Sequence, residues 1–376
     1  MLLNALAVLV VAAIVVMLAC NSFEEATDHL GRNMAPGIKG ATLNAIGSSL
    51  PELLTTLFLL FAFRDVDGFS GGVATCAGSA VFNAIVIPAL CILAVTMWGV
   101  KGPDGVRRTI PYIEVGRSTV LRDGLFFIAA EILLIIFLGD TKLTWWMGGA
   151  LMLLYVVYAG YIVRAQSGHT TPGEDDDDDD DEEATSKSRL KALLTLDFRA
   201  LLYGEEELND RSAWVVLVAA TGCISLACYG LSWSVVELAE VLDVPLYFTT
   251  VILAAAATSV PDTVLSVKDA LKGNYDDAIA NAIGSNIFDI CVALGLPLML
   301  YGIIYGHVRI ASETGSGSGD VQGLRVALLV LSVLVMPIFL WGTRIDKKRA
   351  WLLLSLYGAW MLFIVLGAAK HTGMIG

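Results

Sequence analysis

Two short polar stretches in an otherwise apolar chain carry the residues that could do chemistry. Gly47-Ser48-Ser49-Leu50-Pro51-Glu52 and Ala257-Thr258-Ser259-Val260-Pro261-Asp262 each set a carboxylate and a proline inside a long apolar run. An ionised side chain at the centre of a bilayer costs about 2.5–3.5 kcal/mol even on lenient scales, so such residues face a cavity or a partner. Residues 40–62 and 243–267 contain no Lys or Arg, which leaves a bound cation as the simplest counter-charge. Each proline removes a backbone donor and frees the carbonyl four residues earlier, on Gly47 and on Ala257. Ser48 and Glu52 are spaced i, i+4 and share one helix face, as do Thr258 and Asp262. Hydroxyl, carboxylate and freed carbonyl oxygens at one level are the donors a hard cation requires.

Each stretch is followed by a second one that also repeats. Cys76-Ala77-Gly78-Ser79-Ala80-Val81-Phe82-Asn83 aligns with Ala282-Ile283-Gly284-Ser285-Asn286-Ile287-Phe288-Asp289. Ser79 and Asn83 are again i, i+4, as are Ser285 and Asp289, so four helices each present a polar pair. Gly-Ser alone would read as a close-packing device between helices. Glu52, Asp262 and Asp289 together do not, because three acids without basic partners serve no packing purpose.

The elements that must position these residues are membrane helices. The chain has 376 residues, of which 56% are hydrophobic and only 16% charged. That balance excludes soluble folds and describes an all-α polytopic membrane protein. Ten spans follow from the apolar runs, at about 2–20, 36–63, 72–98, 123–138, 143–163, 212–241, 245–271, 277–305, 321–341 and 350–369. The first resembles a leader, with Met17-Leu18-Ala19-Cys20 like a lipoprotein cleavage site, but no basic residue precedes Arg32, so it is expected to stay as a span. Five spans separate the two copies of the motif pair, so they enter the membrane in opposite directions. The expected plan is two inverted five-helix repeats, 1–163 and 212–376, joined by a loop at 164–211, with the site at the midplane. Lys and Arg accumulate in cytoplasmic loops. Placing both termini outside leaves only Arg64, Lys142, Arg309, Arg325 and Lys370 of the 24 basic residues on the outer face.

The motifs resemble those of the cation/calcium exchangers. Gly-Ser-Ser-x-Pro-Glu with Gly-Ser-Ala-x-Phe-Asn looks like the first alpha-repeat of sodium/calcium exchangers. Thr-Ser-Val-Pro-Asp-Thr through Gly-Ser-Asn-Ile-Phe-Asp is similar to the second repeat of both the sodium/calcium and the potassium-dependent exchangers. The resemblance implies the sodium/calcium exchanger fold and Na+-driven extrusion of Ca2+ by alternating access. It makes Glu52 and Asp262 the carboxylates shared by Ca2+ and Na+, with Ser48 and Thr258 as further oxygen ligands and Ser49 and Ser259 beside them. Ser79, Asn83, Ser285 and Asp289 would line flanking Na+ positions. The calcium/proton branch carries Gly-Asn-x-x-x-Glu, whereas this chain reads Gly47-Ser48-Ser49, which argues against protons as the usual counter-ion. Asp289 departs from the Asn of animal sodium/calcium exchangers and leaves K+ dependence open. Its extra charge calls for a proton or a second monovalent cation when one Ca2+ is bound, and the likeness of the first repeat to the K+-independent branch favours the proton. H+-coupled antiport and carriage of another divalent cation such as Mg2+ are the remaining alternatives.

Ca2+, Na+ and the lipid bilayer are the expected partners, in the cell membrane, with no cofactor and no nucleic acid. Catalysis is disfavoured because His-Glu-x-x-His is absent; a channel built from the same ligands is a third reading. The loop holds an acidic run at 174–183, including seven consecutive aspartates at 175–181, read as a solvated linker because it lacks the turn-making glycine of a Ca2+ cage. Directly after it, Lys187, Arg189, Lys191 and Arg199 alternate with leucines and predict one amphipathic helix on the inner membrane surface. The six cysteines fall in apolar runs and read as core residues. Glu131, mid-span and without a repeat counterpart, is left between a site and a structural role.

Overall fold

The computed structural model describes residues 1–32, 45–65, 69–101, 106–166, 189–204, 206, 208–309, 329–331, 333–335, 337–339 and 344–372. In chain order the helices are α1 (Leu2–Leu30), α2 (Ala45–Phe61), α3 (Ser70–Trp98), α4 (Arg117–Leu138) and α5 (Trp145–Gln166). They continue with α6 (Arg189–Leu194), α7 (Phe198–Tyr203), α8 (Asp210–Leu242), α9 (Leu246–Thr258), α10 (Val260–Lys272), α11 (Tyr275–Tyr305) and α12 (Lys347–His371). The described residues of 329–339 are helical as well. Six helices are long and apolar enough to cross a membrane, and the α9–α10 pair, bent by 41°, makes a seventh. The others are shorter or carry more charge: α2 has 17 residues, and α4 includes Arg122, Asp123 and Glu131. The acidic run and Lys187 lie outside the described residues.

α3 is the centre of the bundle. Its sequence is apolar on every face, the signature of a helix surrounded by protein, and 78% of its most apolar stretch is buried, against 17% for α12. Small residues let neighbours approach it closely. A Cβ built on Gly78 would fall 2.1 Å from the carbonyl oxygen of Val251 and 2.7 Å from the Ala255 side chain. Backbone cannot yield as a side-chain tip can, so Gly78→Ala is expected to cost at least about 1–3 kcal/mol. A lowered melting temperature of the detergent-solubilised protein checks this; an unchanged one means that α3 and α9 are not locked together at this point. Gly284, the repeat counterpart, has only the Tyr158 hydroxyl at 3.3 Å, so the packing role belongs to one copy of the glycine.

The two proline stretches differ. α9 breaks at Ser259 (φ −80°, ψ 2°), and Pro261 opens α10, where a missing N–H costs nothing. Pro51 instead lies within α2, which runs on unbroken from Ala45 to Phe61. Two π-helical turns, Thr250–Ala254 in α9 and Asp289–Leu294 in α11, belong to the second half of the chain; such turns gather at functional sites.

Ends of distant helices are tied together by short contacts. β1 (Val100–Lys101) pairs with β2 (Arg107–Arg108), β3 (Tyr112–Glu114) with β6 (Arg344–Asp346), and β4 (Lys142–Thr144) with β5 (His307–Arg309), all antiparallel. Asp276 Oδ1 accepts the Gly116 N–H at 2.5 Å, and Arg32 pairs with Asp210 at 2.7 Å. After α2, Asp65 accepts the N–H groups of Gly71 (2.7 Å) and Gly72 (3.3 Å) at the start of α3, and burial pushes its carboxyl up to about 6.

The single amphipathic helix expected after the acidic run is two short ones. Leu196 adopts a left-handed conformation (φ 52°) and Asp197 caps α7 through the Ala200 N–H, which stops one helix and starts the next. The turn is docked on α1: the Ser22 hydroxyl donates to the Leu196 carbonyl (2.9 Å) and accepts from the Phe198 N–H (3.1 Å). Arg199 pairs with Glu25 at 2.5 Å, and Leu196 and Phe198 pack against the core shared by α1, α2 and α8.

Candidate cation site

Four helical segments bring the sequence-derived residues to one buried place. α2 supplies Ser48, Ser49 and Glu52, and α3 supplies Ser79 and Asn83. The α9–α10 break supplies Thr258, Ser259 and Asp262, and α11 supplies Ser285 and Asp289. Ser285 is 2% exposed and the other nine are 0% exposed.

The contacts among them come in repeat-related pairs. The Ser49 and Ser285 hydroxyls share a hydrogen bond of 2.7 Å, and their counterparts Ser259 and Ser79 share one of 2.9 Å. Ser285 donates to Asp262 Oδ2 at 2.6 Å; its counterpart Ser79 stands 3.3 Å from Glu52 Oε1. The Ser48 hydroxyl lies against Asp262 and, equivalently, Thr258 against Glu52. Asn83 Nδ2 donates to Ser285 at 3.4 Å, and Asp289 Oδ2 accepts from Ser79 at 2.8 Å. One pair breaks the symmetry: Asn83 also donates to Asp262 Oδ2 at 3.2 Å, whereas Asp289, in the equivalent place, faces Glu52 as a second anion.

Protons are scarce here. A serine hydroxyl has one hydrogen to give, yet Ser79 is approached by Glu52, Asp289 and Ser259 at once. Glu52 Oε2, Asp262 Oδ1, Asp289 Oδ1 and Asn83 Oδ1 are buried without a hydrogen-bond partner among the described residues. A buried, unpartnered acceptor is costly and a buried charge more so, and four in one cluster are the shape of a cation-binding environment. Among the described residues no three His, Cys, Asp or Glu side chains form a metal cage by themselves. The donor set is carboxylates spaced by hydroxyls and one amide, which suits weakly held, exchangeable hard cations.

Of the two carbonyls expected to be freed by proline, that of Gly47 has the Cys20 thiol of α1 at 4.0 Å, and Ala257 sits in the last turn before the break. Cys228 of α8 approaches the Pro51 carbonyl at 3.7 Å, so two buried thiols flank the proline of α2. Glu131 is buried in α4.

Three polar residues beside the cluster were missed in the sequence. Thr56 Oγ1 lies 2.6 Å from the Ala293 carbonyl, in the π-helical turn that starts at Asp289. Asn281 Nδ2 donates to Ser266 Oγ at 3.0 Å, and the Asn281 side chain also faces Asp262. All three were legible: Thr56 is i+4 from Glu52, Ser266 is i+4 from Asp262, and Asn281 is i−4 from Ser285.

The family model described as "Sodium/calcium exchanger protein" matches residues 4–164 and 212–366. The chain belongs to the sodium/calcium exchanger protein family. Members of this family are transporters. Curated relatives include sodium/potassium/calcium exchanger 3 of Rattus norvegicus, 32% identical over 158 residues, which are 41% of this chain and 24% of that protein. Sodium/potassium/calcium exchanger 4 of Mus musculus is 34% identical over 155 residues, 40% of this chain and 24% of the relative. The matched part thus spans about a quarter of these relatives' length. Among solved structures, the H+/Ca2+ exchanger CAX superposes with a TM-score of 0.64 at 13% identity, over 98% of this chain and 89% of its own. The sodium-calcium exchanger NCX_Mj gives a TM-score of 0.54 at 20% identity, over 95% and 97%. The fold is therefore the exchanger fold, and the family is one of multi-pass calcium and sodium antiporters.

Proposed function

We propose that this chain is a secondary antiporter that extrudes Ca2+ against Na+ entry, with Glu52 and Asp262 as the carboxylates shared by both ions. The unpartnered oxygens of Glu52, Asp262, Asp289 and Asn83 carry the reading. Two carboxylates neutralise one Ca2+ or share several Na+, and the two loads compete for the same oxygens. A half-empty site leaves buried charge unpaired, at several kcal/mol per ion, so only loaded states cross cheaply. Ser48, Ser49, Thr258, Ser259, Ser79, Asn83, Ser285 and Asp289 complete the oxygen lining. The Gly47 and Ala257 carbonyls are the least supported members, since the first already has a thiol beside it.

A ten-span topology is supported by the ties between helix ends. Partners in a short contact at helix ends belong on one face, so an even number of spans must separate them. Ten spans satisfy this for β3 with β6, β4 with β5, Arg32 with Asp210, Arg199 with Glu25 and Gly116 with Asp276. Counting only the six long apolar helices puts β3 and β6 on opposite faces. Counting seven separates Gly116 from Asp276. The proposal therefore counts the shorter helices α2 and α4 and the segment that holds the helical residues within 329–339 as spans too. With an even count both termini share one face, which the distribution of Lys and Arg makes the outer one, and the proposal sets the two halves inverted in the cell membrane.

K+-dependent exchange is the second reading. The relatives' names include potassium, and Asp289 adds a third carboxylate to the cluster. Purified protein in vesicles tests both: Ca2+ uptake is measured against imposed Na+, K+ and H+ gradients. Ca2+ flux that requires a Na+ gradient is expected. Flux without any counter-ion gradient would make the protein a channel, and flux driven by H+ alone would overturn the Na+ reading.

A further inference from the structure

The second repeat carries its polar ladder one rung further than the first. On α10, Asp262 and Ser266 are four residues apart on one face; on α11, so are Asn281, Ser285 and Asp289. The inner rung joins Ser285 to Asp262 at 2.6 Å and the outer rung joins Asn281 to Ser266 at 3.0 Å. In the first repeat the inner rung exists, Ser79 to Glu52 at 3.3 Å, but the outer one does not. Thr75 turns to the Gly71 carbonyl of its own helix (2.8 Å) and Thr56 to the carbonyls of Glu52 and Ala293. Thr75, Thr56 and, one turn further out, Leu60 are all 0% exposed. Asn281 is only partly buried, while Ser266 is 0% exposed, so among the described residues the outer rung opens at Asn281 and the first repeat has no equivalent opening.

Charge is arranged to match. Glu24 of α1 stands within electrostatic range of Asp262, Asp269 and Asp28, and of Lys268. An acidic rim beside a polar passage concentrates cations at its mouth.

Building on the exchange function proposed above, we propose that Asn281 is a positioning residue on the ion route. It aims the Asp262 carboxylate through its amide and forms, with Ser266, the step a Ca2+ or Na+ ion takes between Asp262 and the face where α10 ends and α11 begins. It acts through Asp262, from one side of the membrane only.

Two measurements test this. In oriented membrane vesicles, Asn281→Ala is expected to raise the Ca2+ KM about tenfold at the α10–α11 face, because Ser266 loses its amide partner and Asp262 loses the amide that faces it. The KM at the opposite face should stay within about twofold, and Asn281→Ser, which keeps a donor, should recover part of the loss. An equal shift at both faces, or none, overturns the proposal while leaving exchange itself intact. The second measurement needs no transport: a membrane-impermeant maleimide should label Asn281→Cys from the α10–α11 face and spare Thr75→Cys, with the unsubstituted protein as the blank for native cysteines. Failure to label Asn281→Cys, or equal labelling of Thr75→Cys, overturns the one-sided route even if the transported ions prove to be others.

Discussion

Glu52→Gln and Asp262→Asn are each expected to abolish Na+-driven Ca2+ flux in vesicles while the protein stays folded. Each change keeps the shape of the side chain and removes one charge from a cluster that is short of positive charge, so the vacant fold loses nothing electrostatically. The bound state loses a carboxylate that faces a divalent ion in a dry setting, worth about 3–5 kcal/mol when one partner of a buried pair is removed. That is a fall of more than about a hundredfold in Ca2+ affinity. Ca2+ should raise the melting temperature of the unsubstituted protein in detergent, as any ligand that binds only the folded state does. It should raise that of neither variant. The repeat-related contacts make the two variants equivalent in kind: Glu52 lies against Thr258 and near Ser79, Asp262 against Ser48 and Ser285. Robust exchange by either one would remove that carboxylate from the site.

The cluster was legible in the sequence because a membrane makes polar side chains conspicuous. Glu52, Asp262 and Asp289 stood out by the cost of their surroundings, and the i, i+4 partners followed from helix geometry alone. Aligning the two motif pairs sets Ser49 against Ser259 and Ser79 against Ser285, and the hydrogen bonds run crosswise between the halves, Ser49 to Ser285 and Ser79 to Ser259. What the sequence hid was asymmetry. Pro51 and Pro261 read alike, but α2 continues through its proline and α9 breaks two residues before its own, at Ser259. π-helical turns have no pattern in residue type, so the turns at Thr250 and Asp289 were not foreseen. The docked turn at Leu196 was read as continuous helix because its leucine spacing is helical; the bonds to Ser22, 174 residues away, decide otherwise. Asn281 and Ser266 carry no charge, so the apolar surroundings do not single them out as they do the carboxylates.

Under the second reading, removal of K+ suppresses Na+-driven Ca2+ flux and Asp289→Asn relieves that dependence. Three carboxylates meet one Ca2+, so one negative charge remains in the loaded site, and either a proton or a monovalent cation must answer it. The sequence favoured the proton. The geometry gives each a place: a proton on Asp289 Oδ2 can be donated to Ser79 Oγ at 2.8 Å, and a cation can rest against Oδ1, which is buried without a hydrogen-bond partner among the described residues. The measurement is initial Ca2+ uptake into Na+-loaded vesicles at fixed ionic strength, with K+ replaced by a bulky organic cation. A loss of about tenfold or more without K+ corresponds to roughly 1.4 kcal/mol or more of coupling between the two ions. In Asp289→Asn the same replacement should change the rate by less than about twofold, because the charge that K+ neutralised is gone. Equal uptake with and without K+ in the unsubstituted protein would return Asp289 to the protonated state and make the exchange K+-independent.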